Sequence, residues 1–362
     1  MIKLSLHYWI LLTALLPLLA MASASSVRFE QLFKVRDVIW GFDFLPDGKV
    51  IFTEREGRIS IFDPQSKKIT PLKGIPKVHA AGQGGMLDIK LDPDFQKNQR
   101  FFFTYAEPQG KLSATVLAEA RLKENELVNF RKVFTANAEE IDVHYGSRIL
   151  IKDDHIYFTV GDRYDRSKVQ DLRFHNGKVL RLSLDGSTPK DNPFSTTKEA
   201  RPEIFALGIR SPQGLALHPT SKEIFEAEMG PQGGDEVNVI EAGKNYGWPV
   251  ITYGREYHGP KIGKTKKEGM EQPIVYWVPS ISPSGISFYE GKVYPDWNEN
   301  LFLATLSGEH VRRLVLQNRS VIRQEILLAD LKQRWRSIRQ GPDGYLYLGS
   351  DSGLFGRLIK GK

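Results

Sequence analysis

Apolar and polar residues alternate along this chain in short runs. β-Branched, aromatic and aliphatic residues gather between Asp-Gly, Pro-Asp-Gly and Asn turns, and no stretch keeps a helical period over several turns. This pattern predicts an all-β protein. One phrase recurs, an apolar strand, a turn, then a second apolar strand closed by a polar corner. It is clearest in Trp40-Gly41-Phe42-Asp43-Phe44-Leu45-Pro46-Asp47-Gly48 before Val50-Ile51-Phe52-Thr53, and in Ile338-Arg339-Gln340-Gly341-Pro342-Asp343-Gly344 before Tyr345-Leu346-Tyr347-Leu348. Looser copies start near Leu87, Ser147, Gly214 and Gly285. The six anchors lie 47 to 71 residues apart, a spacing that suits four-stranded antiparallel blades with extended loops. A blade cannot bury its faces alone, so six of them predict one closed six-bladed β-propeller. The segment from Phe29 to Val35 is expected to pair with the last blade, near Leu354 to Ile359, and close the ring. Such a ring gathers residues distant in sequence around one central opening.

The first residues follow a different pattern. Lys3, an apolar stretch from Tyr8 to Leu19 and Ala22-Ser23-Ala24 have the order of a secretory signal, and the stretch is too short, and broken by Pro17, for a membrane anchor. Residues 1–24 are therefore expected to be a cleaved signal and residues 25–362 a single propeller, periplasmic or secreted, with no membrane insertion after cleavage. No cysteine follows the apolar run to carry a lipid, and none occurs anywhere to form a disulfide, so stability must come from a large core, with a metal as a further candidate support. The net charge is +7, but the Lys and Arg residues are dispersed among acids, which argues against a nucleic-acid surface and leaves room for an anionic small ligand.

Polar residues embedded in glycine-rich or apolar contexts mark the candidate chemistry. In Gly82-Gln83-Gly84-Gly85 the glycines allow close backbone approach to a ligand and leave Gln83 as the one side chain, although a plain tight turn reads the same. His144-Tyr145-Gly146-Ser147-Arg148 and Val160-Gly161-Asp162-Arg163 place a histidine in one inner strand and an aspartate at the end of the next; the pair is either structural or a base oriented by a carboxylate. Gly230-Pro231-Gln232-Gly233-Gly234-Asp235-Glu236, with Gly243-Lys244-Asn245-Tyr246-Gly247-Trp248 after it, offers the carboxylate and carbonyl oxygens that calcium needs, or is an acidic surface turn. Arg334 and Arg336, two apart in a strand, face the same side. If that side is the channel, an anion must lie between them, and a polycarboxylate matches their donor forks; a surface-facing pair is the alternative.

Taken together and in order, these motifs, with Gln170-Asp171-Leu172, Gly177-Lys178-Val179-Leu180-Arg181-Leu182, Pro189-Lys190-Asp191-Asn192-Pro193-Phe194 and Ser211-Pro212-Gln213-Gly214-Leu215, resemble the soluble aldose sugar dehydrogenases that use pyrroloquinoline quinone (PQQ). The resemblance runs from about Trp40 to the C-terminus. It implies PQQ over the channel mouth, calcium (Ca2+) beside it, an aldose substrate, an external electron acceptor, and a monomer or homodimer. It implies His144 as the base, Asp162 as the carboxylate that orients it, and Gln83, Arg210, Ser211, Ser307, Arg334 and Arg336 as cofactor contacts, with Arg210 also sharing charge that develops in the reaction. Gly230 and Pro231 would hold calcium through their carbonyls with Asp235 near by, and Glu236 and Tyr246 would hold a second, structural calcium. The chain departs from the usual pattern at Ile209, Ser211, Met229 and Ser337, a set expected to cluster at the cofactor edge and weaken PQQ binding. Two other functions remain in view: a calcium-stabilised binding propeller without catalysis, and a calcium-dependent lactonase, which the paired arginines disfavour.

Overall fold

The computed structural model describes residues 27–361, so the expected signal segment lies outside the described residues. Six four-stranded antiparallel sheets account for nearly all regular structure, and the only α-helix among the described residues is the single turn Phe95–Asn98. The inner strands are Ile39–Phe44, Met86–Leu91, Ile149–Lys152, Pro212–Leu217, Pro283–Phe288 and Trp335–Gln340. Five of the six repeat anchors fall within these strands and Ser147 falls just before the third. Neighbouring inner strands touch in cyclic order, the first meeting the sixth, which makes a six-bladed propeller. Ring closure also follows the expectation: Val27–Lys34 pairs antiparallel with Leu354–Lys360, so the last blade takes its outer strand from the start of the described chain.

The alternation of apolar residues makes this geometry, because each blade is covered on both faces by its neighbours. Ile51, Ile59, Met86, Ile89, Phe101 and Phe103 share one interface between the first two blades, all fully buried. A buried side chain of this size contributes roughly 1.5–3 kcal/mol, and the repetition of such layers replaces the missing disulfides. Near the axis the packing is closer. A Cβ on Gly41 would stand 2.5 Å from Asp88 Oδ1, and one on Gly214 would stand 2.5 Å from the Ser284 carbonyl, so neither inner strand accepts a side chain there. Threonines on second strands latch the first blade to the second and the second to the third: Thr53 Oγ1 donates to the Leu87 carbonyl at 2.5 Å and Thr104 Oγ1 to the Ser147 carbonyl at 2.8 Å.

Arg148 fills the axis itself. Its guanidinium donates to the carbonyls of Gln213, Trp40 and Arg336 at 2.6, 3.2 and 2.8 Å, and to Asp88 Oδ1 and Ser284 Oγ at 3.4 and 3.5 Å. Those five partners belong to the five other blades. One side chain therefore joins all six inner strands and divides the channel into two mouths.

Candidate active site

The larger mouth opens into a cavity of about 810 Å3. Of the residues singled out in the sequence, Gln83, His144, Arg210, Gly230, Pro231, Ser307, Arg334 and Arg336 all line it, drawn from five blades.

His144 does not lie in a strand, as expected, but in the loop before the third inner strand, with φ +52°. Its backbone N–H donates to Gln83 Oε1 at 2.9 Å, so Gln83 helps set the loop that carries it. Gly161 lets the loop come close, since a Cβ there would meet the His144 carbonyl at 2.1 Å. On the ring, Nδ1 lies 2.7 Å from Asp162 Oδ1. A carboxylate accepts, so Nδ1 carries the proton and Nε2 keeps its lone pair. Burial, reinforced by the positive charge of Arg210, outweighs the Asp162 hydrogen bond and holds the His144 pKa below the usual imidazole range. The ring is thus neutral at neutral pH, the state a base requires. Burial works to raise the pKa of Asp162, but the His144 hydrogen bond and nearby positive charge outweigh it and leave the group ionised.

Arg210 Nη1 donates to the carbonyls of Met229 and Gly230, each at 2.9 Å. Its backbone N–H donates to Glu228 Oε2 at 2.5 Å, and burial pushes the Glu228 pKa up to about 8. Arg334 and Arg336 do face one side, and the anion between them is a protein group that the sequence reading missed. Asp351 accepts from Arg334 Nε at 3.0 Å and from Arg336 Nε and Nη2 at 2.8 and 3.1 Å. Arg334 Nη1 and Nη2 and Arg336 Nη1 have no hydrogen-bond partner among the described residues. Together with Arg55 and Arg210, four guanidinium groups line the cavity against one acid, Asp351.

Other singled-out residues take supporting places. Asp235 is fully buried and accepts from the Gly230, Ile281 and Ser282 backbones at 3.0, 2.7 and 2.8 Å and from Ser280 Oγ. With both oxygens engaged, it braces the Gly230 loop rather than offering a metal a ligand. Glu236 and Tyr246 stand behind the wall with Glu228 and Thr252 around a cleft of about 10 Å3, room for about one small ion or water. Glu228 and Glu236, and Glu226 in the wall nearby, are buried without an ion pair among the described residues, and their pKa values are raised by burial. Glu226 Oε1 and Asn238 Oδ1 have no partner among the described residues. A cation in the cleft would offset the burial of Glu228 and Glu236.

The four departures do not cluster at the cavity edge. Met229 alone lines the cavity. Ile209 is packed with Tyr157, Val179 and Tyr246 in an apolar core, while Ser211 and Ser337 are buried beneath the wall with hydroxyl oxygens lacking a partner among the described residues. Ser337 follows the wall residue Arg336 along the sixth inner strand, where neighbours alternate in direction, while Ile209 and Ser211 flank Arg210 in the loop before the fourth. Sequence reasoning also missed Trp40, Arg55 and Tyr257 in the wall, and the bond from Trp248 Nε1 to Asp162 Oδ2 at 2.8 Å. Glu226 and Glu228 had left a signal, two acids spaced by two in an otherwise apolar strand.

Fold and cavity together define a propeller that sets a neutral, carboxylate-oriented imidazole beside an anion site. The chain belongs to the Glucose / Sorbosone dehydrogenase family, whose model matches residues 36–360. It is 37% identical over 361 residues to the aldose sugar dehydrogenase YliI of Escherichia coli, covering 96% of this chain and 97% of that one. A crystal structure of a glucose dehydrogenase superposes with a TM-score of 0.89 at 37% identity, covering 92% of this chain and 99% of the other. The PQQ-bound aldose sugar dehydrogenase of Streptomyces coelicolor gives 0.78 at 25% identity, over 92% and 98%.

Proposed function

We propose that this chain is a PQQ- and calcium-dependent aldose sugar dehydrogenase that oxidises sugars at C1 to the lactone and passes the electrons to an external acceptor. The observation that carries the reading is the meeting, in one cavity, of a neutral imidazole and an excess of guanidinium groups. PQQ is a tricarboxylate, and three guanidinium nitrogens of Arg334 and Arg336 lack protein partners, so the donor set fits the group. Gln83, Arg210 and Ser307 complete its contacts, while Ser211, buried below, acts through the backbone. The Gly230 and Pro231 carbonyls each accept one protein hydrogen bond and keep a second lone pair for calcium. Glu236, with Glu228 and the Tyr246 backbone, suits a second calcium.

When bound, PQQ supplies the two-electron acceptor and calcium the Lewis acid that stabilises charge upon it. The chain's own residues handle the proton and the orientation. His144 Nε2, on the cavity side, takes the proton of the anomeric hydroxyl as C1 is oxidised. Asp162 holds the productive tautomer and offsets the charge on the ring once it is protonated. Arg210 adds positive charge where negative charge develops. The reading includes export, with residues 1–24 as the cleaved signal. Three of the four departures lie behind the cavity wall, which favours catalysis over a binding-only propeller.

Titration of purified apoprotein with PQQ and calcium should change the cofactor absorbance, raise the melting temperature and switch on dye-linked aldose oxidation. Absence of both the thermal shift and the oxidation would overturn the proposal.

A further inference from the structure

Asp162 is held from three sides. Its Oδ1 accepts from His144 Nδ1 at 2.7 Å and from the Tyr164 backbone N–H at 2.8 Å, and its Oδ2 accepts from Trp248 Nε1 at 2.8 Å. Trp248 is itself anchored twice over. Its backbone N–H donates to the Gly208 carbonyl at 2.8 Å, and its carbonyl accepts from Gln170 Nε2 at 2.7 Å. Over its ring lie the guanidinium groups of Arg166 and Arg210, 5.0 and 5.5 Å from the centroid. Arg166 in turn grips Glu256 through two contacts of 2.5 and 3.0 Å. A loop of the third blade is thereby tied to the excursion between the last two strands of the fourth, across the indole.

We propose that Trp248 is a positioning residue for the base: its indole N–H turns the Asp162 carboxylate toward His144 Nδ1, and the Arg166–Glu256 pair keeps the indole in place. The inference rests on His144 acting as the base. A carboxylate with one oxygen tethered can present the other in only one direction, which fixes both the tautomer and the tilt of the imidazole. The tether also draws negative charge toward the indole side. Without it, more of that charge faces the ring and stabilises the imidazolium. The other charged and titratable groups facing the dyad are Arg210, Arg163, Arg166, Tyr164 and Glu228, and a change confined to the indole N–H leaves all of them in place.

Two substitutions at one position separate the N–H from the packing. Trp248→Phe removes the donor and keeps an aromatic ring; β-(3-benzothienyl)alanine at position 248 keeps the bicyclic shape and removes only the donor. NMR titration of His144 in the apoprotein reads the result without reference to turnover. Both variants should raise the His144 pKa by about one unit, since a hydrogen bond to a charged group is worth on the order of one to two such units. In the loaded enzyme, kcat should fall roughly tenfold, with the acid limb of the profile shifted upward by the same amount and the sugar KM nearly unchanged. An unchanged His144 titration in the benzothienyl variant would overturn the proposal and leave Trp248 as packing alone. A shifted titration in a protein that never oxidises sugar would uphold the role of Trp248 and refute the dehydrogenase reading instead.

Discussion

At the larger mouth of the channel, Arg55, Arg210, Arg334 and Arg336 share a wall with the single acid Asp351, and several of their donors meet no protein acceptor. At the opposite mouth, beyond Arg148, every lining cation meets a carboxylate. Lys90 and Arg339 both pair with Asp43, at 3.2 and 2.8 Å, and Arg148 pairs with Asp88 at 3.4 Å. The two regions contain similar residue types. Burying a cation costs several kcal/mol unless it is paired, so pairing is the ordinary state and an excess of one sign is the state that needs a ligand. By this reasoning the first mouth is for binding and the second for holding the ring together.

Loss of the base at the larger mouth carries the largest expected effect. His144→Ala should lower aldose oxidation by roughly 10²–10⁴-fold. PQQ affinity, measured by fluorescence or absorbance titration, should stay within a few-fold of the parent, because the guanidinium groups remain. A variant that still oxidises sugar at the parental rate would move the reaction away from this mouth.

Next comes the partition between the mouths. Arg148→Met leaves four backbone and side-chain acceptors from four blades, and the Asp88 carboxylate, without their donor. Breaking a buried pair of this kind costs about 3–5 kcal/mol, so denaturant unfolding should show a large loss of stability. Unchanged stability would mean that the axis is held by the apolar layers alone.

Much of this division was legible in the sequence. The repeat phrase located all six inner strands, because a blade's inner edge carries a similar apolar run and turn each time, with a close-packed glycine in three of them, at Gly41, Gly214 and Gly285. His144, Asp162 and Gln83 stood out because polar groups between glycines rarely serve packing. What escaped was pairing across blades. Nothing near Arg334 and Arg336 in sequence announces Asp351 as their partner, and Arg148 looked like the tail of the histidine motif until five other blades converged on it. The departures at Ile209, Ser211 and Ser337 were misplaced for a related reason: proximity in sequence to a wall residue does not bring a neighbour to the wall, whether in a loop, as at Ile209 and Ser211, or on the other side of a pleated strand, as at Ser337.

A third test sets one mouth directly against the other. Arg336→Met should weaken PQQ binding by roughly 10- to 150-fold, the worth of hydrogen bonds to a charged group. Lys90→Met, equally cationic but matched by Asp43, should leave the PQQ dissociation constant unchanged. Equal losses in both would mean that the cofactor feels only the overall positive field, which falls off with salt, and not the local donors.

The smallest effect expected is one of pH, and it belongs to the rear mouth alone. Burial works to raise the pKa of Asp43, but the charges of Arg339 and Lys90 outweigh it and lower the value from 3.8 to about 2. A carboxylate whose pKa is depressed by folding stabilises the native state above its unfolded pKa and loses that contribution as the pH falls through the folded one. The relevant window is therefore from about pH 4 down to pH 2, and a shift of nearly two units corresponds to roughly 2 kcal/mol. Urea unfolding at pH 5, 4, 3 and 2 should show the parent losing its advantage over Asp43→Asn across that interval, with the two curves converging at the acid end. The variant should keep the parental PQQ affinity at pH 7, because the groups it disturbs lie on the far side of Arg148. A constant gap between the two proteins from pH 5 to pH 2 would show that Asp43 stays protonated or screened throughout, and the rear mouth would then lose its claim to be a closed set of ion pairs.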